Sequence, residues 1–246
     1  MPSADTGKPA SDAGAGEGSS GAPSSACFVV PLPVAAGTCI VIDDFATAKA
    51  GPINASNVVT LPPSDGRNGK FTHQDTDGTP GGVVDDYSIV AVSGPELPPG
   101  ITQGVHFAER GFTTWGADYS LSFTGGCYDI SATGYDGIAF YAKATTSLAL
   151  LAGIHTSKTT AAFDCGGTDV CWGFFRAEIM LSSTWTKYSL KFSDMKQPAW
   201  ALPQVPFDPK KVVAIIWATA AGGDADWTMT DITFTGNDDT SGCAPK

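Results

Sequence analysis

The stretch 135-YDGIAFYAKATTSLALLAGIHT-156 decides the fold. In its first half Ile138, Phe140 and Ala142 fall on one side, and Ala139, Tyr141 and Lys143 on the other. That period of two marks a half-buried strand. A second apolar run, Leu148 to Ile154, follows after Ala144, Thr145, Thr146 and Ser147, a connection of hairpin length. Further on, 185-WTKYSLKF-192 alternates again, with Trp185, Lys187, Ser189 and Lys191 opposite Thr186, Tyr188, Leu190 and Phe192. The chain here reads as sheet with one dry face and one wet face.

Working outward, strands are expected at CIVIDDF, NVVTL, KFTHQD, YSIVAVS, GVHFAER, YSLSF, WGFFRAEIML, VVAIIWATA and WTMTDITF, separated by Gly, Pro, Asp and Ser. Glycine and proline together number 46 of 246 residues, and no stretch shows sustained helical periodicity. Many short strands with turn signals between them predict an all-β, two-sheet antiparallel sandwich, with the jelly roll as the usual way to connect them. Residues 1–38 are small, polar and low in complexity, and read as a disordered tail or linker. Residues 39–246 read as the β-sandwich domain.

Charge narrows the partners. The formal net charge is -11 with no Lys/Arg cluster, so nucleic acid is not expected as a ligand. No run approaches eighteen apolar residues, and no membrane-spanning helix is expected. Six cysteines, Cys27, Cys39, Cys127, Cys165, Cys171 and Cys243, form no CxxC pair, which argues for disulfides over metal or redox chemistry. Cys165 and Cys171 bracket a short loop and suit a local bridge. Cys39 and Cys243 meet if the first and last strands are neighbours, leaving Cys27 for Cys127; Cys27 with Cys39 is the alternative. Disulfides imply an exported protein, secreted or at the cell surface, whose secretion or lipoprotein signal has been cut away.

The succession IDDF, DGRNGKFTHQDTDGTP, YDGIAFYAKA, a cysteine-bracketed loop, WTKYSLKFSDMKQPAW and a closing WTMTDITF resembles the galactose-binding-like jelly-roll carbohydrate-binding modules. The likeness is to those of exported bacterial polysaccharide-degrading systems and surface lipoproteins. It implies non-catalytic binding of a polysaccharide or oligosaccharide and, as is often so in such modules, a structural calcium; the chain is expected to be a monomer. Sugar rings want aromatic faces to stack on and planar polar groups for their hydroxyls. Trp115, Trp172 and Trp200, beside Gly or Pro in expected loops or strand ends, are the aromatic candidates; Gln197 and Arg176 are the polar ones; Tyr141 faces away from Phe140 and can line the open sheet face. For calcium, which takes oxygen ligands, Asp43 or Asp44 on the first strand and Asp231 on the last are candidates, with Asp75 and Asp77 closing the site from an acidic turn. Trp185, Trp217 and Trp227 alternate with apolar neighbours and are expected to pack.

Two other classes compete. A hydrolase or lyase needs strand-borne carboxylates, for which Glu109 and Glu178 are available, although outward polar positions explain them more simply. No GxSxG elbow or phosphate loop is present. A surface adhesion protein would instead present an apolar patch.

Overall fold

In the computed structural model the described residues are 28–29, 40–43, 45–46, 50–52, 69–75, 82–113, 117–123, 127–131, 134–160, 165, 170–219 and 223–236. The expected strand at NVVTL, and Trp115, Asp44, Asp77, Cys27, Cys39 and Cys243, lie outside them. For Asp43 and Asp75 only the backbone is described.

The strands, in chain order, are β1 (Phe28–Val29), β2 (Ile40–Asp43), β3 (Gly51–Pro52), β4 (Gly69–Asp75), β5 (Val83–Ala91), β6 (Gln103–Arg110), β7 (Ala117–Phe123), β8 (Tyr128–Asp129), β9 (Tyr135–Ala144), β10 (Leu148–Thr156), β11 (Phe175–Leu181), β12 (Thr186–Lys191), β13 (Val212–Thr219) and β14 (Ala225–Gly236). They form two seven-stranded sheets. Sheet A carries β4, β7, β13, β10 and β11 in that order, with β8 and β1 extending the β7 side of β13. Sheet B runs β12, β9, β14, β6, β5 and β3, and β2 takes the β6 side of β14 further along. Every pairing between described strands is antiparallel except β1 with β8. The expected two-sheet jelly-roll sandwich is what the chain forms.

One connection differs from expectation. β9 lies in sheet B and β10 in sheet A, so residues 145–147 carry the chain from one sheet to the other instead of closing a hairpin. A short polar connector serves either purpose, and only the strand partners distinguish them.

The core lies between the sheets. Ile138, Phe140 and Ala142 of β9 are fully buried there, with Trp217 of β13 edge-on to Phe140 at 5.7 Å between ring centroids. Phe107, Tyr119 and Trp227 pack around one another, with Phe107 4.1 Å from Tyr119 and 4.3 Å from Trp227. Trp217 and Trp227 are buried in this core as expected; Trp185 is buried too, but on the outward side of sheet B, under the loop between β5 and β6.

Glu109 is a correction. It is not an outward strand residue but only 3% exposed, in phase with Val105 and Phe107 on the core side of β6. Its carboxylate accepts hydrogen bonds from the Tyr119 hydroxyl (3.1 Å), the Ala117 amide (2.8 Å) and the Thr219 hydroxyl, all in sheet A. A buried carboxylate needs such donors. They make it a polar tie between the sheets.

Candidate functional site

The central strand of sheet B, β14, shows how the outward face is built. Ala225, Trp227 and Met229 face the core, and so do Ile232 and Phe234. The parity changes between Met229 and Ile232, which requires one extra residue. Asp231 supplies it: the register with β9 shifts between Thr230 and Thr233, and Asp231 has φ 52°. This is a β-bulge, and Asp is among the few non-glycine residues that visit the left-handed region. At the same place β14 exchanges neighbours, pairing with β6 up to Met229 and with β2 from Ile232.

The consequence is an unusual outward row. Thr228, Thr230, Asp231, Thr233 and Thr235 lie off the core, yet each is at most 9% exposed. Beside them on β9 is Tyr141, half-buried and paired across the strands with Thr230. Burial first, and then the negative charge of Asp231, hold the Tyr141 hydroxyl above its ordinary pKa. The loop joining β5 to β6 helps to recess this row. β5 and β12 are four strand spacings apart, about 19 Å, yet the Trp185 indole just before β12 donates to the Ser93 carbonyl at 3.0 Å. Trp185 falls in phase with outward-facing Lys187, so the loop arches over the outward face, and Lys143 lies 5.0 Å from the Trp185 ring. Thr230 donates to the Gln103 carbonyl at 2.6 Å at the foot of the arch.

At one end of this face His106 of β6 sits between two carboxylates. Its Nδ1 is 2.6 Å from Asp86 on β5, and its Nε2 is 3.1 Å from Asp226 on β14. Burial alone lowers the His106 pKa, but the hydrogen bonds and charges of Asp86 and Asp226 outweigh it, so the net direction is upward.

The remaining candidates gather elsewhere. Arg176 of β11 points outward from sheet A, with its guanidinium carbon 5.8 Å from the Phe174 ring and 6.0 Å from the Trp200 ring. Its backbone bridges to Lys196, at 3.1 and 3.0 Å, which lays the loop after β12 along β11. Gln197 is buried, donating to the Gly173 carbonyl at 2.8 Å and accepting from the Val205 amide at 2.7 Å, so its amide joins two loops. Trp172 stands 46% exposed in the 3₁₀ turn Val170–Trp172, beside the Cys165–Cys171 disulfide. The six aromatic and polar candidates therefore do not form one site. Tyr141 lies on the outward face of sheet B; Trp172, Arg176, Gln197 and Trp200 lie at the β11 edge of sheet A; Trp115 is outside the described residues.

For calcium, the neighbour condition is met, since Ile232 pairs with Asp43 next to Asp231. Asp75 ends β4 in the opposite sheet. Among the described residues Asp231 is the one candidate with a described side chain, and no three His, Cys, Asp or Glu groups converge as a cation site. One carboxylate does not make a calcium shell, and no ion is assigned. Among the described cysteines Cys165 is bonded to Cys171, and Cys127 is disulfide-bonded to a partner outside the described residues. Phe28 pairs with Tyr128, and each follows a cysteine in the sequence.

Of the outward row only Asp231 was a sequence candidate, as a calcium ligand, and the His106 cluster was not among the candidates. The step from Met229 to Ile232 in WTMTDITF was the available signal for the bulge.

No protein-family model matches the chain, and no curated protein matches it. Solved structures do. A family 11 carbohydrate-binding module of a cellulosomal cellulase of Clostridium thermocellum is 16% identical with a TM-score of 0.49, covering 82% of this chain and 96% of that one. A family 30 carbohydrate-binding module of a cellulosomal cellulase from the same organism is 13% identical with a TM-score of 0.42, covering 81% and 94%. An exo-β-agarase is 12% identical with a TM-score of 0.50 over 80% of this chain, which spans 25% of the agarase. At these identities the likeness is one of fold, and the fold is the all-β jelly-roll sandwich described above.

Proposed function

We propose that the chain is a non-catalytic polysaccharide-binding module whose ligand lies along the outward face of sheet B, against Tyr141. The observation that supports this best is the outward row of β14: four threonines and Asp231, off the core yet nearly inaccessible, beside one aromatic ring. A sheet face whose polar groups are hydroxyls and a carboxylate, with Tyr141 partly open beside them, suits a ligand that itself carries many hydroxyls. The Tyr141 ring supplies the apolar surface that a pyranose C–H face needs. The solved carbohydrate-binding modules, similar in fold, are compatible with this reading but do not carry it.

Catalysis has less support. Of the two strand-borne glutamates, Glu109 is enclosed between the sheets and holds three donors, and Glu178 is exposed on the outward side of sheet A. They do not flank a common cleft, as glycoside hydrolysis requires. Disulfides at Cys127 and Cys165–Cys171 support the companion proposal that the protein is exported. Depletion assays on insoluble cellulose, xylan, chitin and mannan test the reading. Retention on at least one polymer that is lost in Tyr141→Ala supports it, and a folded protein retained on none contradicts it.

A further inference from the structure

We infer that the module has a second glycan-contact surface, at the β11 edge of sheet A, built on Trp172 and Trp200 with Arg176 beside the Phe174 and Trp200 rings. The inference rests on the polysaccharide reading for the class of its ligand, but on different residues for its place. Of the described tryptophans, 185, 217 and 227 are at most 5% exposed, whereas Trp172 is 46% exposed and Trp200 is partly exposed. Tryptophan is a residue that folding buries where it can. Both accessible indoles lie on the two loops that meet at one edge.

Those loops are held in place. The Cys165–Cys171 bridge anchors the residue next to Trp172, and the buried Gln197 amide joins Gly173 to Val205. The Arg176–Lys196 backbone bridge fixes the second loop against β11. A rigid aromatic platform binds with little loss of conformational freedom. The guanidinium carbon lies 5.8 Å from the Phe174 ring and 6.0 Å from the Trp200 ring with its Nη1 enclosed, so the planar donors it presents to a sugar are its other nitrogens. An apolar ring face with a fixed planar donor beside it is the pairing a pyranose ring presents in reverse, with C–H groups on its face and hydroxyls at its rim. A purely apolar partner has no use for the guanidinium.

Arg176 and Tyr141 point outward from opposite sheets, so one sugar chain does not lie along both in a single straight contact. The two surfaces are independent sites and give the module two points of attachment to a polymer matrix.

The test is calorimetric titration of the full chain with cellohexaose, xylohexaose, mannohexaose and chitohexaose. The proteins are wild type, Trp172→Ala, Tyr141→Ala and the double variant, each first shown to be folded by its near-ultraviolet circular dichroism. The inference expects two equivalents of one hexasaccharide per chain, one in each single variant and none in the double variant. A blue shift of tryptophan emission on binding is expected to vanish in Trp172→Ala. One equivalent, with Trp172→Ala binding within twofold of wild type, overturns the second site and leaves the sheet B reading standing. One equivalent lost in Trp172→Ala and untouched in Tyr141→Ala supports the edge site and overturns the sheet B site. Binding to none of the four overturns both.

Discussion

The Nδ1 atom of His106 lies 2.6 Å from Asp86, while its Nε2 lies 3.1 Å from Asp226, so one imidazole joins β5 to β14 through β6. A neutral imidazole has one N–H and can donate to only one of the carboxylates; both contacts together require the imidazolium. The folded pKa is raised above the ordinary histidine value. The stabilisation is therefore fully present below about pH 6.5 and is lost as pH rises through the folded pKa. Because both carboxylates are well exposed, the pair belongs in the range of about 0.2–1 kcal/mol, a fall of a few degrees in Tm at most. Thermal melts from pH 6 to 9 are expected to show this fall in wild type and a flatter profile in His106→Gln.

His155 works in the opposite direction. It packs against Phe174, 5.3 Å between ring centroids, and burial pushes its pKa down to about 4 despite a hydrogen bond that the ring donates to the Thr159 backbone. A lowered histidine pKa gives stability that is present above about pH 6.5 and lost as pH falls toward 4. The loss amounts to at most about 3 kcal/mol at the acid end. Urea denaturation at pH 4.5 and 7 is expected to show a smaller difference in His155→Phe than in wild type.

Glu109 ties the sheets together, and its removal is expected to act on stability alone. Glu109→Ala leaves the Tyr119 hydroxyl, the Thr219 hydroxyl and the Ala117 amide without their acceptor. That costs about 3 kcal/mol. Glu109→Gln retains an acceptor and is expected to lose less. A chemical denaturation series measures both, and polysaccharide retention by the folded fraction is expected to be unchanged.

Asp231 combines a backbone role and a site role that two substitutions separate. At φ 52° an alanine is strained and a glycine is not, so Asp231→Ala is expected to be less stable than Asp231→Gly by about 1 kcal/mol. Both variants lose the carboxylate beside Tyr141 and are expected to lose polysaccharide affinity alike. Equal stability of the two would contradict the bulge assignment.

Much of the fold is legible in local alternation, because a strand with one dry face writes its period into the sequence. Residues 138–143 and 185–192 are placed correctly on that basis. The direction taken after Ala144 is not legible, since a hairpin and a crossing between sheets use the same short polar connector. Glu109 shows a signal that was available: it keeps phase with Val105 and Phe107, and phase outranks polarity. Likewise the step of three from Met229 to Ile232 marks the bulge at Asp231. By contrast, the partners of His106 come from β5 and β14, 20 and 120 residues away, and only the strand register brings them together. The split of Tyr141 from Trp172, Arg176 and Trp200 has the same cause. Which sheet a strand joins is decided by its neighbours and not by its own residues.

The measurement that bears most directly on the central claim is affinity of the folded protein for soluble and insoluble polysaccharides before and after Tyr141→Ala. The sheet B reading predicts that at least one polymer is bound without turnover, and that removing the ring weakens binding at least tenfold with the melting temperature within a few degrees of wild type. Binding unchanged in Tyr141→Ala, or release of reducing sugar from the bound polymer, contradicts it.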